Sequence, residues 1–323
     1  MTTSRQTTLR SRISLSGAGV HSGLIAGLVL KPAPADTGIR FLRKGTPAGV
    51  DRLIDANVSQ VAATELCTVV GGDAESGVAT IEHLMAAFAG LGVDNALVEI
   101  DGPEVPILDG SAAPFVAAIE AVGIREIAAP RRVIRVLKPV RVEQGRAFSE
   151  LRPAERGFRL DVEIDFSSPL IGRQRKALDL TPETFRRELA RARTFGFMRD
   201  VERLWKAGFA LGASLDNTVA LGEDRVINPD GLRFADEFVR HKMLDAVGDL
   251  ALAGLPLVGR FRSYCGGHRM NAAVLDALFA DRAAFEVITL PGEEREPRRA
   301  REAGRAAEMG LGLPAAAYAA DAS

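Results

Sequence analysis

Three ionisable side chains at intervals of four interrupt the apolar segment RHKMLDAVGDLALAG, which begins at Arg240: His241, Asp245 and Asp249. A helical residue advances by about 100°, so positions four apart stack nearly above one another and these three form one ridge. A His and an Asp one turn apart can close on a single metal ion. The plainer alternative is a solvated or hydrogen-bonded polar seam, and the motif alone does not decide between them.

A second cluster, TIEHLMAAF, puts Glu82 and His83 side by side near the start of an otherwise apolar helix. With His241 and Asp245, His83 would complete a set of two histidines and one carboxylate. That set suits zinc or another divalent transition metal and leaves a position open for water. Water on such an ion loses its proton near neutrality and becomes a nucleophile. Taken alone, the pair is read more simply as a solvated Glu82 beside a hydrogen-bonded core histidine. A third cluster, YCGGHRMN, carries His268 in a turn softened by Gly266 and Gly267. If His241 and Asp245 hold metal, Asp249 could orient the His268 ring and favour its protonated form, an acid able to protonate an amine leaving group. Cys265 and His268 could instead form half of a metal site, but the chain has only one other cysteine, Cys67.

The elements that carry these groups follow from pattern. A helix is expected over 79–90, stopped by Gly90 and Gly92, then a strand in NALVEID, a turn-rich loop GPEVPILDGSAAP and the helix PFVAAIEAVG. In the second half VIRVLKPVRVE and FRLDVEIDF read as strands, followed by a helix over 235–254, the strand PLVGRFRSY and the helix NAAVLDALFA. Each half therefore reads as strands, helix, strand, helix, which predicts an α+β chain of two similar domains divided near 126–132. MRDVERLWKAGFALGASLDN places Val201, Leu204, Trp205 and Phe209 at helical spacing, as in an amphipathic helix covering a core. The tail 293–323 has no convincing apolar stripe and is expected to fray.

Composition bounds the function. The 323 residues suffice for two ordinary domains. A net charge of −1 argues against a nucleic-acid partner, which requires concentrated positive surface. The N-terminal stretch lacks an apolar core of signal-peptide length and no segment reaches the roughly 18 apolar residues of a membrane span, so a cytoplasmic protein with reduced thiols is expected.

The stretches TIEHLMAAFAGLGVDNALVEIDGPEVPILDGSAAPF, ARTFGFMRD, SLDNTVAL and RHKMLDAVGDLALAG, together with GGH, resemble the UDP-3-O-acyl-N-acetylglucosamine deacetylases, zinc hydrolases of lipid A biosynthesis. The likeness runs from about residue 5 to about residue 290. It implies that His83, His241 and Asp245 hold zinc, or iron where the two compete, with Glu82 as general base. It further implies that His268 stabilises the oxyanion and protonates the departing nitrogen, with Asp249 as its partner, and that the Thr194 hydroxyl helps hold the tetrahedral intermediate. Lys242, Phe195 and Phe197 match positions that contact the sugar nucleotide, and the 198–217 region matches an insert enclosing the substrate's acyl chain. The fold implied is two similar α+β domains, 1–126 and 132–292, packed helix layer to helix layer between outer sheets, with the site at their interface. The partner implied is one small molecule, UDP-3-O-acyl-N-acetylglucosamine, acted on by a monomer. Arg269 departs from the small residue usual after the histidine. Two other readings share these residues: hydrolysis of a different N-acetyl compound, and a non-catalytic sugar-nucleotide binder. The binder would have no need of Glu82 and His268.

Overall fold

A computed structural model describes residues 4–46, 49–72 and 75–291. The expected tail, 293–323, lies outside them.

The first half builds a five-stranded sheet in the order Ile13–Ala18, Ile25–Pro32, Ala96–Ile100, Ile39–Arg43, Arg52–Asp55. Ala96–Ile100 runs antiparallel to Ile25–Pro32 and parallel to Ile39–Arg43. Its Ala96, Val98 and Ile100 are buried while Leu97 and Glu99 are half-buried, the period-2 alternation read from the sequence. The second half builds a seven-stranded sheet around Leu257–Tyr264. That strand is antiparallel to Ala147–Arg152 and parallel to Phe158–Asp165 and Arg132–Val136. On the sheet's outer face Arg141, Glu150, Arg262 and Asp161 stand opposite one another across four strands, and Arg175 of the next strand reaches diagonally to Asp161, so charge alternates along the row. Opposite charges directly across a ladder stabilise the pairing and leave the other face to the core.

The Glu82–Leu91 helix is buried at every position but Ala89 and ends where Gly92 adopts φ 75°. The Glu237–Leu250 helix exposes only parts of Arg240 and Lys242. Burial on all sides is the mark of a helix in the middle of a molecule. These two helices pack on each other, and the second also packs on Phe158–Asp165 and Arg173–Asp179. Gly248 sets their separation: a Cβ there would lie 2.0 Å from the Glu82 carbonyl oxygen. The His268–Ala280 helix lies beside them, over Val140–Gln144 and Ala147–Arg152.

Several details depart from the sequence expectations. The first helix begins at Glu82, because Ala79 is bridged to Glu104 and Thr80 has φ 56°. VIRVLKPVRVE is two strands, Arg132–Val136 and Val140–Gln144. His268 opens its helix instead of lying in the preceding turn. The expected division at 126–132 is not among these departures; there Ile124–Pro130 pairs with Arg5–Leu9, and Arg132 begins the seven-stranded sheet. The expected amphipathic helix is only Val201–Lys206, with Trp205 exposed. It ends early because the chain turns at Gly208 (φ 80°) and Ala210 (φ 57°).

The close crossing at Gly248 gives a stability test. Gly248→Ala should lower stability by about 3 kcal/mol or more, the upper end of the overpacking range, since its Cβ meets backbone. Gly254→Ala, where φ is 80° and the space is open, should lose only about 1–2 kcal/mol for the left-handed conformation. Urea titration reads both, and equal losses would mean that the two helices are not held in tight contact.

Candidate active site

The crossing of the two buried helices brings His83 to His241 and Asp245, the three-residue ridge of one helix facing the first turn of the other. One donor atom from each of the three lies within 4.8 Å of the others, and all three are buried. The Nε2 atoms of His241 and His83 stand 3.3 Å and 3.6 Å from Oδ1 of Asp245. His241 Nδ1 lies 3.1 Å from the Ala192 carbonyl oxygen, which can only accept, so Nδ1 carries the proton and Nε2 presents its lone pair. Burial pushes His241 down to about 3, against the pull of Asp245 and helped by His83 and Lys242, which keeps the imidazole neutral as a ligand must be. Burial would raise Asp245, but the Lys242 ammonium bonded to it offsets this, and the carboxyl lies well below its usual range.

The fit to a metal ion is testable on orphaned atoms. Asp245 Oδ1 and His83 Nδ1 are buried without a hydrogen-bond partner. Such groups carry a desolvation penalty unless something satisfies them. A cation bound between the three donors would satisfy Asp245 Oδ1 directly, and two imidazoles with one carboxylate form a three-ligand set of the catalytic type. His83 Nδ1 points elsewhere and is not explained by it.

Around this centre lies a cavity of about 340 Å³ whose lining includes Glu82, His83, His241, His268, Thr194, Phe195 and Phe197. Glu82 is fully buried and one of its oxygens accepts from the Thr68 amide at 3.0 Å. Burial raises its pKa, with His268 and His83 pulling it back, so this carboxylate is more basic than an exposed one. His268 Nδ1 lies 2.8 Å from Asp249 Oδ2, leaving Nε2 as the nitrogen free to act in the cavity. Burial alone would lower His268, but the Asp249 charge and hydrogen bond, then Glu82, raise it to about 9. One cavity thus holds a basic carboxylate and a cationic imidazole, the pairing used in general acid–base chemistry.

Phe195 packs edge-on to Phe238 and His241, and Phe197 meets Phe166 and the Arg199 guanidinium. Lys242 does not line the cavity. Its ammonium donates to Asp245 Oδ2 at 2.6 Å, so the expected sugar-nucleotide contact would have to share it. Arg269 turns outward and donates to Gln144. Cys265 is half-buried beside the His268 helix, and the Cys67 thiol is pushed up to about 12 by burial and by Glu82. Neither cysteine belongs to the cluster of donors.

Sequence reasoning missed the groups that orient the site. Asp249 also accepts from the Thr68 hydroxyl at 2.6 Å and from the Asn271 amide at 2.9 Å. His21 and Thr80 line the cavity, and the Ala192 carbonyl fixes the His241 tautomer. Asn271 lies three residues after His268, one helical turn, which is a usable signal. Thr68 and Ala192 are reached only through tertiary structure.

Comparison with known proteins identifies the family. The family model described as UDP-3-O-acyl N-acetylglycosamine deacetylase matches residues 6–280. Proteins named UDP-3-O-acyl-N-acetylglucosamine deacetylase from Brucella ovis, Brucella canis and Brucella melitensis are each 57% identical over 284 residues, spanning 88% of this chain and 98% of theirs. By both measures the chain belongs to the UDP-3-O-acyl-N-acetylglucosamine deacetylase family.

Proposed function

We propose that this chain is a zinc-dependent amidohydrolase that removes the N-acetyl group of UDP-3-O-acyl-N-acetylglucosamine, releasing acetate, in lipid A biosynthesis. The observation that carries the reading is the partnerless Asp245 Oδ1 between two imidazoles, at the edge of a cavity that also holds a basic carboxylate and a cationic imidazole. His83, His241 and Asp245 would hold the zinc, which when bound supplies Lewis acidity and lowers the pKa of water. Iron is the alternative ion for the same donors.

Glu82 takes the proton from the attacking water as it adds to the acetyl carbonyl carbon. His268 stabilises the oxygen that gains charge and then gives its proton to the departing nitrogen, so acetate and a free amine result. Asp249 keeps the His268 ring oriented and charged, and Thr194 offers a hydroxyl to the tetrahedral centre. Phe195, Phe197 and Lys242 are assigned to the sugar nucleotide. The 3-O-acyl chain follows the apolar side of the cavity, past Val201, Leu204 and Ala213. The residues 1–126 and 132–292 are read as the two domains, with the ligand set drawn from both. We also infer a cytoplasmic monomer. No described helix is long and apolar enough to cross a membrane.

Purified protein incubated with UDP-3-O-acyl-N-acetylglucosamine should release acetate, and none above background would remove the substrate assignment. His241→Ala should lower metal stoichiometry and turnover together. Loss of one metal-binding group commonly weakens a site tenfold or more, so undiminished zinc by elemental analysis would refute the ligand set.

The pH dependence follows from His268. Its acid form is required, and its pKa is raised, so kcat/KM should fall as pH rises through about 9. The sign for stability is the same: the stabilisation from charged His268 is complete below its ordinary value of 6.5 and is lost as pH passes about 9. Asp249→Asn should move the basic limb to lower pH. His268→Gln should keep its metal and lose about 10²- to 10⁴-fold in rate, and an unmoved basic limb in that variant would take His268 out of the acid role.

Chain length supplies the third measurement. Each methylene buried contributes about 0.8 kcal/mol, so a chain four carbons shorter should lose up to roughly a hundredfold in kcat/KM. Val201→Trp should penalise long-chain substrate far more than short-chain substrate, and equal losses would detach this segment from the acyl chain.

A further inference from the structure

Glu104 is a buried carboxylate, 2% exposed, that takes no part in the chemistry above. Among the described residues no cationic side chain pairs with it. Oε1 accepts from the His21 amide at 2.9 Å and from the Thr80 hydroxyl at 2.8 Å, and Oε2 accepts from the Ser22 amide at 2.8 Å. A buried charge is tolerated only when such bonds replace its hydration. The surroundings are shaped for it: a Cβ on Gly19 would lie 2.1 Å from Oε2. The backbone beside it is fixed as well, since the Ala79 amide donates to the Pro103 carbonyl and the Val105 amide to the Ala79 carbonyl.

Its partners lead in two directions. Thr80, held at φ 56°, stands two residues before Glu82 and lines the cavity. His21 and Ser22 belong to the turn joining Ile13–Ala18 to Ile25–Pro32, and that turn grips a loop that lines the cavity. The Leu211 amide donates to the His21 carbonyl at 3.0 Å, and the Gly212 amide to the Val20 carbonyl at 3.1 Å. The Ala210 amide donates to His21 Nδ1 at 3.4 Å, and the Phe209 ring packs edge-on against the imidazole at 5.4 Å. Contact is tight enough that a Cβ on Gly212 would lie 2.2 Å from the Gly19 carbonyl oxygen. Ala210 and Ala213 of the gripped loop, and Leu215 just beyond it, line the cavity.

We propose that Glu104 is a positioning residue that sets acyl-chain selectivity: through the His21–Ser22 turn it holds the 209–213 loop, and so the apolar wall of the cavity, at a fixed distance from the backbone that leads into Glu82. This rests on the reading of that wall as the acyl-chain passage. The charge is essential to the device, because both oxygens must accept. In a glutamine the amide nitrogen would face one of three donors, breaking a bond and setting donor against donor.

The test is kcat/KM for long-chain and short-chain substrates with the metal-loaded enzyme. In Glu104→Gln the ratio of long-chain to short-chain kcat/KM should fall about tenfold, the size of one hydrogen bond to a charged group. Metal content should stay that of the unmodified protein, since Glu104 touches no ligand. His21→Ala should shift the ratio the same way, and the double variant should shift it no further than the larger single change, because the two residues act in series. If the glutamine variant does not fold, Glu104→Asp, which keeps the charge but withdraws it by one methylene, is read by the same ratio. A purely structural role would lower stability and leave the ratio alone, and that result overturns the proposal, as does a double variant whose ratio is the product of the singles. An unmodified enzyme indifferent to chain length would remove the acyl-passage reading and this proposal with it. Discrimination retained in Glu104→Gln removes the proposal alone.

Discussion

The closeness of two buried helices governs the rest of the molecule. Gly248 lies against the Glu82 carbonyl, with no room for a single further carbon. Helices bearing ordinary side chains at their contact run 8–10 Å apart, and a glycine at the crossing allows the near end of that range. Only at such a distance can His83, on one helix, share a centre with His241 and Asp245 on the other. The sheets can be understood as the means of holding that crossing. Each offers an apolar face to the helices, and the alternating charges across the second sheet keep its outer face in water. The functional donors are therefore set by backbone packing, the stiffest feature available to a protein, and not by long side chains reaching from loops.

The same helical ridge supplies two carboxylates with opposite work, and their surroundings divide them. Asp245 sits between two imidazoles and an ammonium, with one oxygen left partnerless. Asp249, one turn on, is fully engaged by neutral donors and one imidazole: Thr68, Asn271 and His268. The first arrangement suits a cation. The second holds a proton on a neighbouring ring, against a burial that would otherwise strip it. Glu82 reads the opposite way, because burial dominates and makes it a better base. A four-residue spacing thus separates a carboxylate with a partnerless oxygen from one bound to a cationic imidazole by about 6 Å of helix rise.

How much of this was legible in the sequence depends on whether the deciding contact was local. The ridge His241, Asp245, Asp249 is a property of helical period and was readable directly, as were the alternating strands Ala96–Ile100 and Phe158–Asp165. The association of Glu82 and His83 with that ridge was not a matter of period, since nothing in TIEHLMAAF alone favours a ligand over a core histidine. It came from the resemblance of several ordered motifs to one family. The first helix was started three residues early because periodicity cannot register the Ala79–Glu104 bridge that keeps the chain extended up to Thr80. The segment after Met198 misled for a similar reason. Val201, Leu204 and Trp205 have a helical spacing that by itself reads as core cover, but they face a cavity, and Trp205 is 55% exposed. Thr68 and Glu104 gave no local signal at all, as each acts through atoms distant in sequence.

Backbone strain follows the same geography. Six non-glycine residues have positive φ among the described residues, and three of them, Leu66, Thr80 and Ala210, line the cavity. A fourth, Cys265, stands three residues before His268. Such conformations cost about 1–3 kcal/mol each and persist only where surrounding bonds over-determine them. At Thr80 the restraint is the Glu104 carboxylate, and at Ala210 it is the His21 ring together with the Trp205 indole, which donates to the Ala210 carbonyl at 3.1 Å. At Thr80 and Ala210, strain therefore coincides with hydrogen bonds from another element at the cavity wall. A wall held in this way is fixed before any ligand arrives, so ordering it adds little to the free energy of binding. The end of the cavity that carries His83 and His241 is fixed by helix packing and the apolar end by these bonded, strained turns, and Thr80, two residues from Glu82, is where the two kinds of restraint meet.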